Sequence, residues 1–385
     1  MLDVKFIIEN PEKIKAGAEK KCFTADVDQI VKLYGERNEK LQKLESLRAK
    51  QNEVSKQIPQ AENKEPLLAE MKNVKEEVQA LEPEVSKIED QIDELAQYVP
   101  NPPLDSVPDG KDDTENEVIN THGEKPEFDF EPKDHIKLGK LLDIIDIERG
   151  VRASGARFYY LKNEAALLEF ALVQFVIHKL VSKGFQPVIP PVLVKEDAMY
   201  ATGFFPADKN EIYQVNPSHE GNPDGDDLFL VGTSEVPLTM LHYTETLGEE
   251  QLPIRYAGYS SCFRREAGSY GKDTAGIIRV HQFNKIEMFS FCHPDKSEEE
   301  HELIRETEEE IMQELGFHYQ VVNICGGDLG VPAAKKYDIE VWIPTQGKFR
   351  ELTSCSNCTD FQARRSKIKF KREGKSEYLH TLNGT

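Results

Sequence analysis

The chain contains 385 residues, of which 48 are Lys or Arg and 69 are Asp or Glu, giving a formal net charge of −21. This length suits two or three domains with a large buried core. The acidic balance argues against a protein that coats nucleic acid non-specifically, but leaves room for a local basic patch. No uninterrupted run of 18 apolar residues occurs, and the start, MLDVKFIIENPEKIK, lacks a signal peptide's apolar core. We therefore expect a cytoplasmic protein without a membrane span.

Two heptad patterns dominate the N-terminal part of the chain. Apolar residues recur at alternating spacings of four and three along residues 67–99, and an earlier seam lies within residues 30–58. Such spacing is typical of coiled-coil helices. Because Pro59 and Pro66 between the seams oppose helix continuation, we predict an antiparallel hairpin over about 28–98, with helices of roughly 45 Å. Pro83, inside the second helix, is expected to kink that helix or to interrupt its hydrogen bonding.

The hairpin has two interpretations, a dimerisation rod or an arm that contacts a polyanion. Residues 28–58 carry seven Lys or Arg against five acids, whereas residues 67–98 carry three against nine. The two helices should therefore attract each other, and the first helix could still present a basic stripe to a polyanion. Charge alone does not decide between the two interpretations.

A linker and a second domain come after the hairpin. Residues 101–132 are rich in Pro, Gly, Asp, Asn and Glu, which is typical of a surface loop. We then predict helices over 158–183 and 297–315, and strands over 228–231, 277–283, 286–292, 319–324 and 338–343. This order favours an α+β domain built on an antiparallel β-sheet. The chain has neither GxGxxG after a strand nor GxxxxGK[ST], so a nucleotide site here must use another solution.

The segment 263–287 concentrates charge between two strand-like ends. Arg264 and Arg265 precede Glu266. A loop with three glycines (Gly268, Gly271 and Gly276) then leads to Arg279, and the return strand carries His281, Phe283 and Glu287. Arginines can clamp phosphate bidentately, and an aromatic ring on the same surface can stack on a purine. The plainer alternative is an ordinary salt-bridged hairpin. On residue chemistry alone the two interpretations have about equal weight.

A family resemblance separates these alternatives. The phrase FRREAGSYGKDTAGIIRVHQFNKIEM resembles motif 2 of class II aminoacyl-tRNA synthetases, in the form found in seryl-tRNA synthetases. GTSEVPL at 232–238 resembles that family's serine-recognition segment, and FRELTSCSNCTDFQARR at 349–365 resembles its ATP- and magnesium-binding strand. Residues 158–206 resemble motif 1 and the segment after it, and the hairpin resembles the tRNA-binding arm. The resemblance covers essentially the whole chain and implies an arm over 1–105 and a class II catalytic domain over 106–385.

The resemblance also implies roles for individual residues. Arg264 and Arg279 are the expected catalytic residues, which neutralise charge on the reacting phosphates. Glu351 and Ser354 match the ligands of a Mg²⁺ ion bound with ATP, and hard oxygen donors suit that ion. The positions that match serine-binding residues are Thr233, Glu235, Arg264, Glu287 and Thr385. The positions that match ATP-binding residues are Arg264, Arg265, Glu266, Val280, His281, Gln282, Phe283, Glu351, Leu352, Thr353 and Ser354.

The implied reaction is two-step ligation of serine to tRNA. The serine carboxylate attacks the α-phosphorus of ATP, and a terminal ribose hydroxyl of tRNA then takes the seryl group. The implied partners are L-serine, ATP and tRNA(Ser), with tRNA(Sec) as a second candidate, and the implied assembly is a homodimer through motif 1. We expect no zinc site, because the CxxC at Cys355 and Cys358 has no second pair at comparable spacing.

Two departures from the family pattern affect this interpretation. Ala275 lies where the family usually has arginine, which predicts a weaker contact with the tRNA end or the nucleotide. The sequence stops at LNGT, before the glycine-rich motif 3 and its ATP-binding arginine. We interpret the 385 residues as an incomplete piece of a normal enzyme. The alternatives are a catalytically impaired or non-catalytic tRNA-binding relative, and a relative that loads a carrier protein, which would lack the hairpin.

The missing motif 3 arginine generates a first prediction. Expressed alone, the 385-residue chain should show little serine-dependent exchange of pyrophosphate into ATP, because one phosphate-binding cation is absent. An exchange assay with labelled pyrophosphate measures this, with the chain extended through motif 3 as the positive control. Exchange near the rate of the extended chain would contradict the prediction.

Overall fold

A computed structural model describes residues 2–61, 63–219, 222–268 and 275–385. The chain divides into two compact units. The first comprises Met1–Glu19 and Phe23–Pro102, and the second comprises Lys20–Cys22 and Pro103–Thr385.

The first unit is built from four helices, α1 (Val4–Glu9), α2 (Pro11–Lys20), α3 (Val27–Gln57) and α4 (Glu65–Ala96). Helices α3 and α4 pack against each other through apolar residues of the two heptad seams, among them Leu44, Val74, Val78 and Leu81. Pro59 lies in the 3₁₀ turn Ile58–Gln60 after α3, which agrees with a helix break there. The predicted helical hairpin is therefore confirmed.

Ion pairs between α3 and α4 fix the direction of the hairpin. Basic residues later along α3 pair with acids earlier along α4, as an antiparallel arrangement requires. The pairs are Arg37–Glu89 and Arg48–Glu82 at 2.7 Å, Lys40–Glu84 at 2.5 Å and Lys50–Glu70 at 2.7 Å. Helix α4 runs without interruption through Pro83. The ring removes one N–H donor but does not end the helix, which the apolar seam holds on both sides of it.

The second unit contains a mixed set of short and long elements. Its helices are α5 (His135–Leu141), α6 (Ile147–Ser154), α7 (Asn163–Ser182), α8 (Glu196–Thr202), α9 (Glu235–Thr239), α10 (Ser297–Glu314) and α11 (Phe361–Ser366). Its strands are β1 (Glu117–His122), β2 (Ile145–Asp146), β3 (Tyr160–Leu161), β4 (Gln186–Val188), β5 (Leu193–Lys195), β6 (Gln214–Val215), β7 (Leu228–Leu230), β8 (Thr246–Gly248), β9 (Ile254–Phe263), β10 (Gln282–Cys292), β11 (Tyr319–Asn323), β12 (Lys335–Ile343), β13 (Lys348–Asn357), β14 (Lys369–Arg372), β15 (Lys375–Tyr378) and β16 (His380–Gly384).

An eight-stranded sheet forms the centre of this unit, in the order β1-β11-β12-β13-β16-β10-β9-β4. Every neighbouring pair is antiparallel except β4 and β9. Helix α10 covers one face, where Ile304 and Met312 join the apolar core with Val321, Ile339 and Leu382. Helices α9 and α11 lie on the other face, where Leu238 and Ala363 pack with Phe289 and Phe291. The predicted α+β class with an antiparallel sheet is confirmed.

The predicted strand over 277–283 is wrong for its first part, since only Gln282 and Phe283 lie in a strand. Residues 277–280 precede β10 without strand pairing, and β10 instead runs unbroken from Gln282 to Cys292. Gly276 has a φ of +84°, in the left-handed region that a strand does not use. Ile277 and Ile278 have strand-like side chains, but the Ile277 N–H donates to the His135 ring and not to a neighbouring strand.

Helix α7 is apolar and largely uncovered. By length and composition it is the one helix, within the described ranges, that could cross a membrane. Helices of soluble proteins can have the same length and composition. Its most exposed apolar residues are Leu167 at 68%, Phe170 at 62% and Leu168 at 59%.

Glu308 is a fully buried carboxyl on the α10 face of the sheet. Thr353 Oγ1 donates to its Oε2 at 3.1 Å, and the backbone N–H of Thr385 donates to its Oε1 at 3.1 Å. Burial raises the pKa of Glu308 well above its usual value, because a buried carboxylate loses its hydration. Glu308 therefore keeps its proton in the folded protein at pH values where the unfolded chain releases it.

Replacing Glu308 with Gln should stabilise the protein as pH rises. As pH rises above about 4.5, the unfolded chain releases this proton while folded Glu308 holds it, so the parent should lose unfolding free energy that Glu308→Gln keeps. Urea unfolding at pH 5, 6 and 7 measures the difference, with the exposed neighbour changed by Glu306→Gln as control. Parallel pH dependence in the parent and Glu308→Gln would contradict the assignment of a protonated Glu308.

Candidate active site

The segment before α9 approaches the sheet closely over β9. A Cβ atom at Gly258 would lie 2.8 Å from Leu238 Cδ1 and 3.0 Å from Ser234 Oγ, so a larger residue here would force the buried Leu238 side chain to shift. Ser234 Oγ donates to the Gly258 carbonyl at 3.2 Å. The side chains on either side of Ser234 are thereby held against the sheet.

A buried polar pocket forms where this segment meets β10. Thr233 Oγ1 donates to Glu287 Oε2 at 2.8 Å, and Lys285 Nζ forms an ion pair with the same carboxylate. The Thr385 hydroxyl lies 3.4 Å from Glu287 Oε2 and 3.3 Å from Lys285 Nζ. Glu287 is 1% exposed. The structure therefore brings together four of the predicted serine-binding residues, Thr233, Glu235, Glu287 and Thr385.

Glu235 is the second buried carboxyl of this pocket. Its Oε1 accepts hydrogen bonds from Gln362 Nε2 at 2.6 Å and from Asn383 Nδ2 at 2.9 Å. Burial, followed by the nearby charge of Glu287, raises the pKa of Glu235 to about 7. When both acids are ionised, Glu235 and Glu287 outweigh the single positive charge of Lys285. The pocket therefore favours an additional cationic group.

A β-bulge explains how Glu351 and Ser354 share a face of the sheet. Residues three apart on a regular strand point to opposite faces. Here Ser354 pairs with Asp338 and Glu351 pairs with Glu340, and the register shifts between them. Because the partners Asp338 and Glu340 are two residues apart, Glu351 and Ser354 lie on one face. Leu352 is the extra, exposed residue, and the Thr353 side chain points to the other face, toward Glu308.

The face that carries Glu351 and Ser354 supplies hard oxygen donors. Lys336 Nζ lies 2.8 Å from Asp338 Oδ1 and 3.7 Å from Glu351 Oε1. Burial raises the pKa of Asp338 to about 7, and the adjacent Lys336 opposes that shift. A carboxylate and a hydroxyl on one face fit a Mg²⁺ ion bound through nucleotide phosphates. Within 2–61, 63–219, 222–268 and 275–385, no three His, Cys, Asp or Glu side chains form a metal site on their own.

Arg264 stands at the end of β9 beside the buried pocket. Its Nε donates to the Gly232 carbonyl at 3.3 Å, and its guanidinium lies 5.2 Å from the centre of the Phe283 ring. His281 Nδ1 lies 2.9 Å from the Arg264 carbonyl, and the Arg264 N–H donates to the His281 carbonyl at 3.0 Å. An exposed guanidinium next to an aromatic face suits a phosphorylated purine.

A cleft of about 400 Å³ continues from Arg264. Glu266 and Arg279 line it and form an ion pair with 2.5 Å between Oε2 and Nη1. Asp208 and Glu211 line the same cleft. Arg264, Glu266 and Arg279, predicted from separate points of segment 263–287, thus share one cavity.

The remaining predicted residues lie around this cleft with different orientations. Arg265 is exposed, and its N–H donates to the Glu211 carbonyl at 2.8 Å. Val280 is buried, whereas Gln282 and Phe283 line a separate cavity with Phe158; the Phe283 ring adjoins the cleft through its contact with Arg264. Gly271 lies outside the described residues.

Several site residues escape the motif-based prediction. Lys285 and Asn383 lie two residues from Glu287 and Thr385, so strand alternation places each pair on one face. That spacing is a signal available in the sequence. Gln362 and Glu211 have no such signal, because tertiary contacts alone bring them to the site.

Two family profiles match the chain. The profile described as "tRNA synthetase class II core domain (G, H, P, S and T)" matches residues 213–385, and "Seryl-tRNA synthetase N-terminal domain" matches residues 1–103. The chain is similar to the serine–tRNA ligase of Thermodesulfovibrio yellowstonii, with 43% identity covering 100% of this chain and 91% of the relative. It is 45% identical to the serine–tRNA ligase of Thermobifida fusca, covering 100% and 90%.

Solved structures show the same similarity. The seryl-tRNA synthetase from Pyrococcus horikoshii, complexed with ATP, superposes with a TM-score of 0.93 at 41% identity, covering 100% of this chain and 91% of that one. The cytoplasmic serine–tRNA ligase from Naegleria fowleri, in complex with AMP, gives 0.88 at 32% identity, with coverages of 100% and 90%.

Proposed function

This chain belongs to the seryl-tRNA synthetase family, and we propose that it ligates L-serine to tRNA(Ser) through the buried pocket and the adjoining cleft. It is an ATP-dependent aminoacyl-tRNA ligase. One observation carries the assignment of the site: Thr233, Glu235, Glu287 and Thr385 meet in one buried pocket next to Arg264. An acidic pocket that also offers hydroxyls matches the ammonium and hydroxyl of serine.

In the first step, Glu235 and Glu287 hold the serine ammonium, and Thr385 orients the serine hydroxyl. Arg264 holds the serine carboxylate against the α-phosphate of ATP. A carboxylate oxygen then bonds to the α-phosphorus, and the bond to the bridging oxygen breaks to release pyrophosphate. Positioning and charge neutralisation supply the rate, so the chain needs no covalent nucleophile.

The ATP is proposed to occupy the cleft lined by Arg264, Glu266 and Arg279. Phe283 offers a face for adenine stacking, and Glu266 a carboxylate for its amino group. Glu351 and Ser354 would hold Mg²⁺ together with the phosphates. When bound, that ion neutralises charge on the phosphate oxygens.

In the second step, a terminal ribose hydroxyl of tRNA attacks the seryl carbonyl and displaces AMP. We propose that residues 1–105 form the arm that binds the tRNA and residues 106–385 the catalytic domain. The ion-paired basic residues of α3, such as Arg48 and Lys50, remain partly exposed and can reach phosphates. tRNA(Sec) remains a second candidate substrate.

We further propose a homodimer in the cytoplasm. The exposed apolar side of α7, with Leu167, Leu168 and Phe170, is a surface that a second copy would cover. The Naegleria fowleri relative is described as cytoplasmic, which supports the same location here.

A stable analogue of the seryl-adenylate tests the proposed substrate. We expect the seryl sulfamate analogue to bind at least about tenfold more tightly than its alanyl counterpart, because the pocket's hydroxyl partners are left unpaired without the serine hydroxyl. Glu287→Gln should weaken the seryl analogue by a similar factor, while the exposed Glu250→Gln should not. Calorimetric titration measures each affinity. Equal binding of the seryl and alanyl analogues would contradict a serine site.

The raised pKa of Glu235 predicts a pH-dependent affinity for serine. Below its pKa of about 7, Glu235 must release a proton before it can pair with the ammonium, so affinity should rise as pH rises. From pH 6 to pH 8 the ionised fraction grows about tenfold, and the association constant for serine should rise with it. Calorimetry in buffers of different ionisation enthalpy should detect proton release at pH 6. Glu235→Gln should bind more weakly with a flat profile; a profile parallel to that of the parent would exclude Glu235 as the titrating group.

A further inference from the structure

The connection between β9 and β10 is held at both described ends by residues from distant parts of the chain. This connection carries Arg264, Glu266 and Arg279, three lining residues of the cleft. Its described portions are residues 264–268 and 275–281. Glu211 contacts the first portion, and His135 contacts the second.

Glu211 receives three backbone N–H groups of the first portion. Its Oε2 accepts from the Ala267 N–H at 2.9 Å, and its Oε1 accepts from the Gly268 N–H at 2.9 Å. Its own carbonyl accepts from the Arg265 N–H at 2.8 Å. Hydrogen bonds from N–H groups to a carboxylate are stronger than those to a neutral acceptor. Both oxygens of one side chain therefore fix two successive peptide groups.

This contact explains an unfavourable backbone conformation at the site. Glu266 has a φ of +52°, in the left-handed region that side chains other than glycine rarely adopt. Such a conformation persists only where surrounding contacts hold it. Glu211 accepts from the N–H groups of Arg265 and Ala267, the residues on either side of Glu266. In this conformation the Glu266 carboxylate reaches Arg279 across the cleft.

His135 fixes the second portion two residues before Arg279. Its Nε2 accepts from the Ile277 N–H at 3.1 Å. A Cβ atom at Gly276 would lie only 2.0 Å from the same Nε2, and Gly276 has a φ of +84°. The imidazole thus packs directly against the backbone where it turns toward β10.

We propose that Glu211 and His135 are positioning residues of the ATP site, which hold Glu266 and Arg279 in the orientation that binds the nucleotide. This inference rests on the proposed function, since it assigns ATP to the cleft. Neither residue takes part in the chemistry. Glu211 acts through the backbone of residues 265–268, and His135 acts through the backbone of Ile277.

Hydrogen–deuterium exchange tests the backbone contacts directly. In Glu211→Ala, amide exchange within residues 265–268 should accelerate at least about tenfold, because two amides lose their acceptor. Glu211→Gln keeps an acceptor oxygen and should give a smaller change. The matched control is Glu196→Gln, which removes the exposed ion pair to Lys209 near the same turn. His135→Ala should accelerate exchange at Ile277 and leave 265–268 unchanged.

Ligand affinity tests the functional consequence. Glu211→Ala and His135→Ala should each weaken Mg·ATP binding by about tenfold, while serine affinity stays within about twofold. A general loss of structure would instead weaken both ligands and lower the melting temperature. If amide hydrogen exchange accelerates in these variants but their ATP affinity is unchanged, the positioning role is wrong. It is also wrong if amide exchange in the variants is the same as in the parent. These affinities are measured in the chain extended through motif 3, which carries the remaining phosphate-binding arginine. Failure of that extended parent to bind Mg·ATP would overturn the proposed function and the nucleotide role together, whereas parent-like amide exchange in the variants would overturn only the backbone contacts.

Discussion

The alternation of side chains across the eight-stranded sheet determines which residues of this chain can meet. Successive residues of a strand point to opposite faces, and antiparallel pairs share a face. Met288 and Cys355 pair with Gly384 on the face that α10 covers, so Glu287, Ser354 and Thr385 lie together on the other. The bulge at Leu352 brings Glu351 to the same face as Ser354. A regular strand would place that carboxylate on the α10 side, away from the pocket.

The same geometry concentrates acids where solvent is excluded. A buried carboxylate costs several kcal/mol unless it is paired or protonated. Glu287 meets this cost through Lys285 and Thr233, whereas Glu235 meets it by holding its proton to about pH 7. A ligand ammonium would allow Glu235 to ionise. Under the proposed function, the cost of burying a second acid is thereby tied to the binding of the serine ammonium group.

The sequence predicts the parts of this structure that local pattern determines. The heptads over 30–58 and 67–99 define α3 and α4, and the ordered motifs identify most residues of the pocket. It does not predict that 277–280 is irregular, because Ile277 and Ile278 have strand-like chemistry while a distant imidazole takes the Ile277 N–H. Likewise, Glu211 lies 56 residues before Ala267, and no spacing rule connects them. Glu211 and His135 act by binding backbone N–H groups, which every residue type except proline offers. Their positions in the sequence therefore carry no signal of this role.

The ion pairs between α3 and α4 change the interpretation of the hairpin's charge pattern. Four basic residues of α3 already have acidic partners on α4, so a polyanion must compete with those glutamates to bind them. Exposed pairs of this kind contribute only about 0 to 1 kcal/mol each, because water screens them. A phosphate can therefore replace a glutamate as the partner of Arg48 or Lys50 at little cost. The acidic helix stabilises the hairpin in the absence of RNA and weakens non-specific binding to polyanions. Under the proposed function, shape and phosphate spacing therefore decide which RNA the hairpin retains.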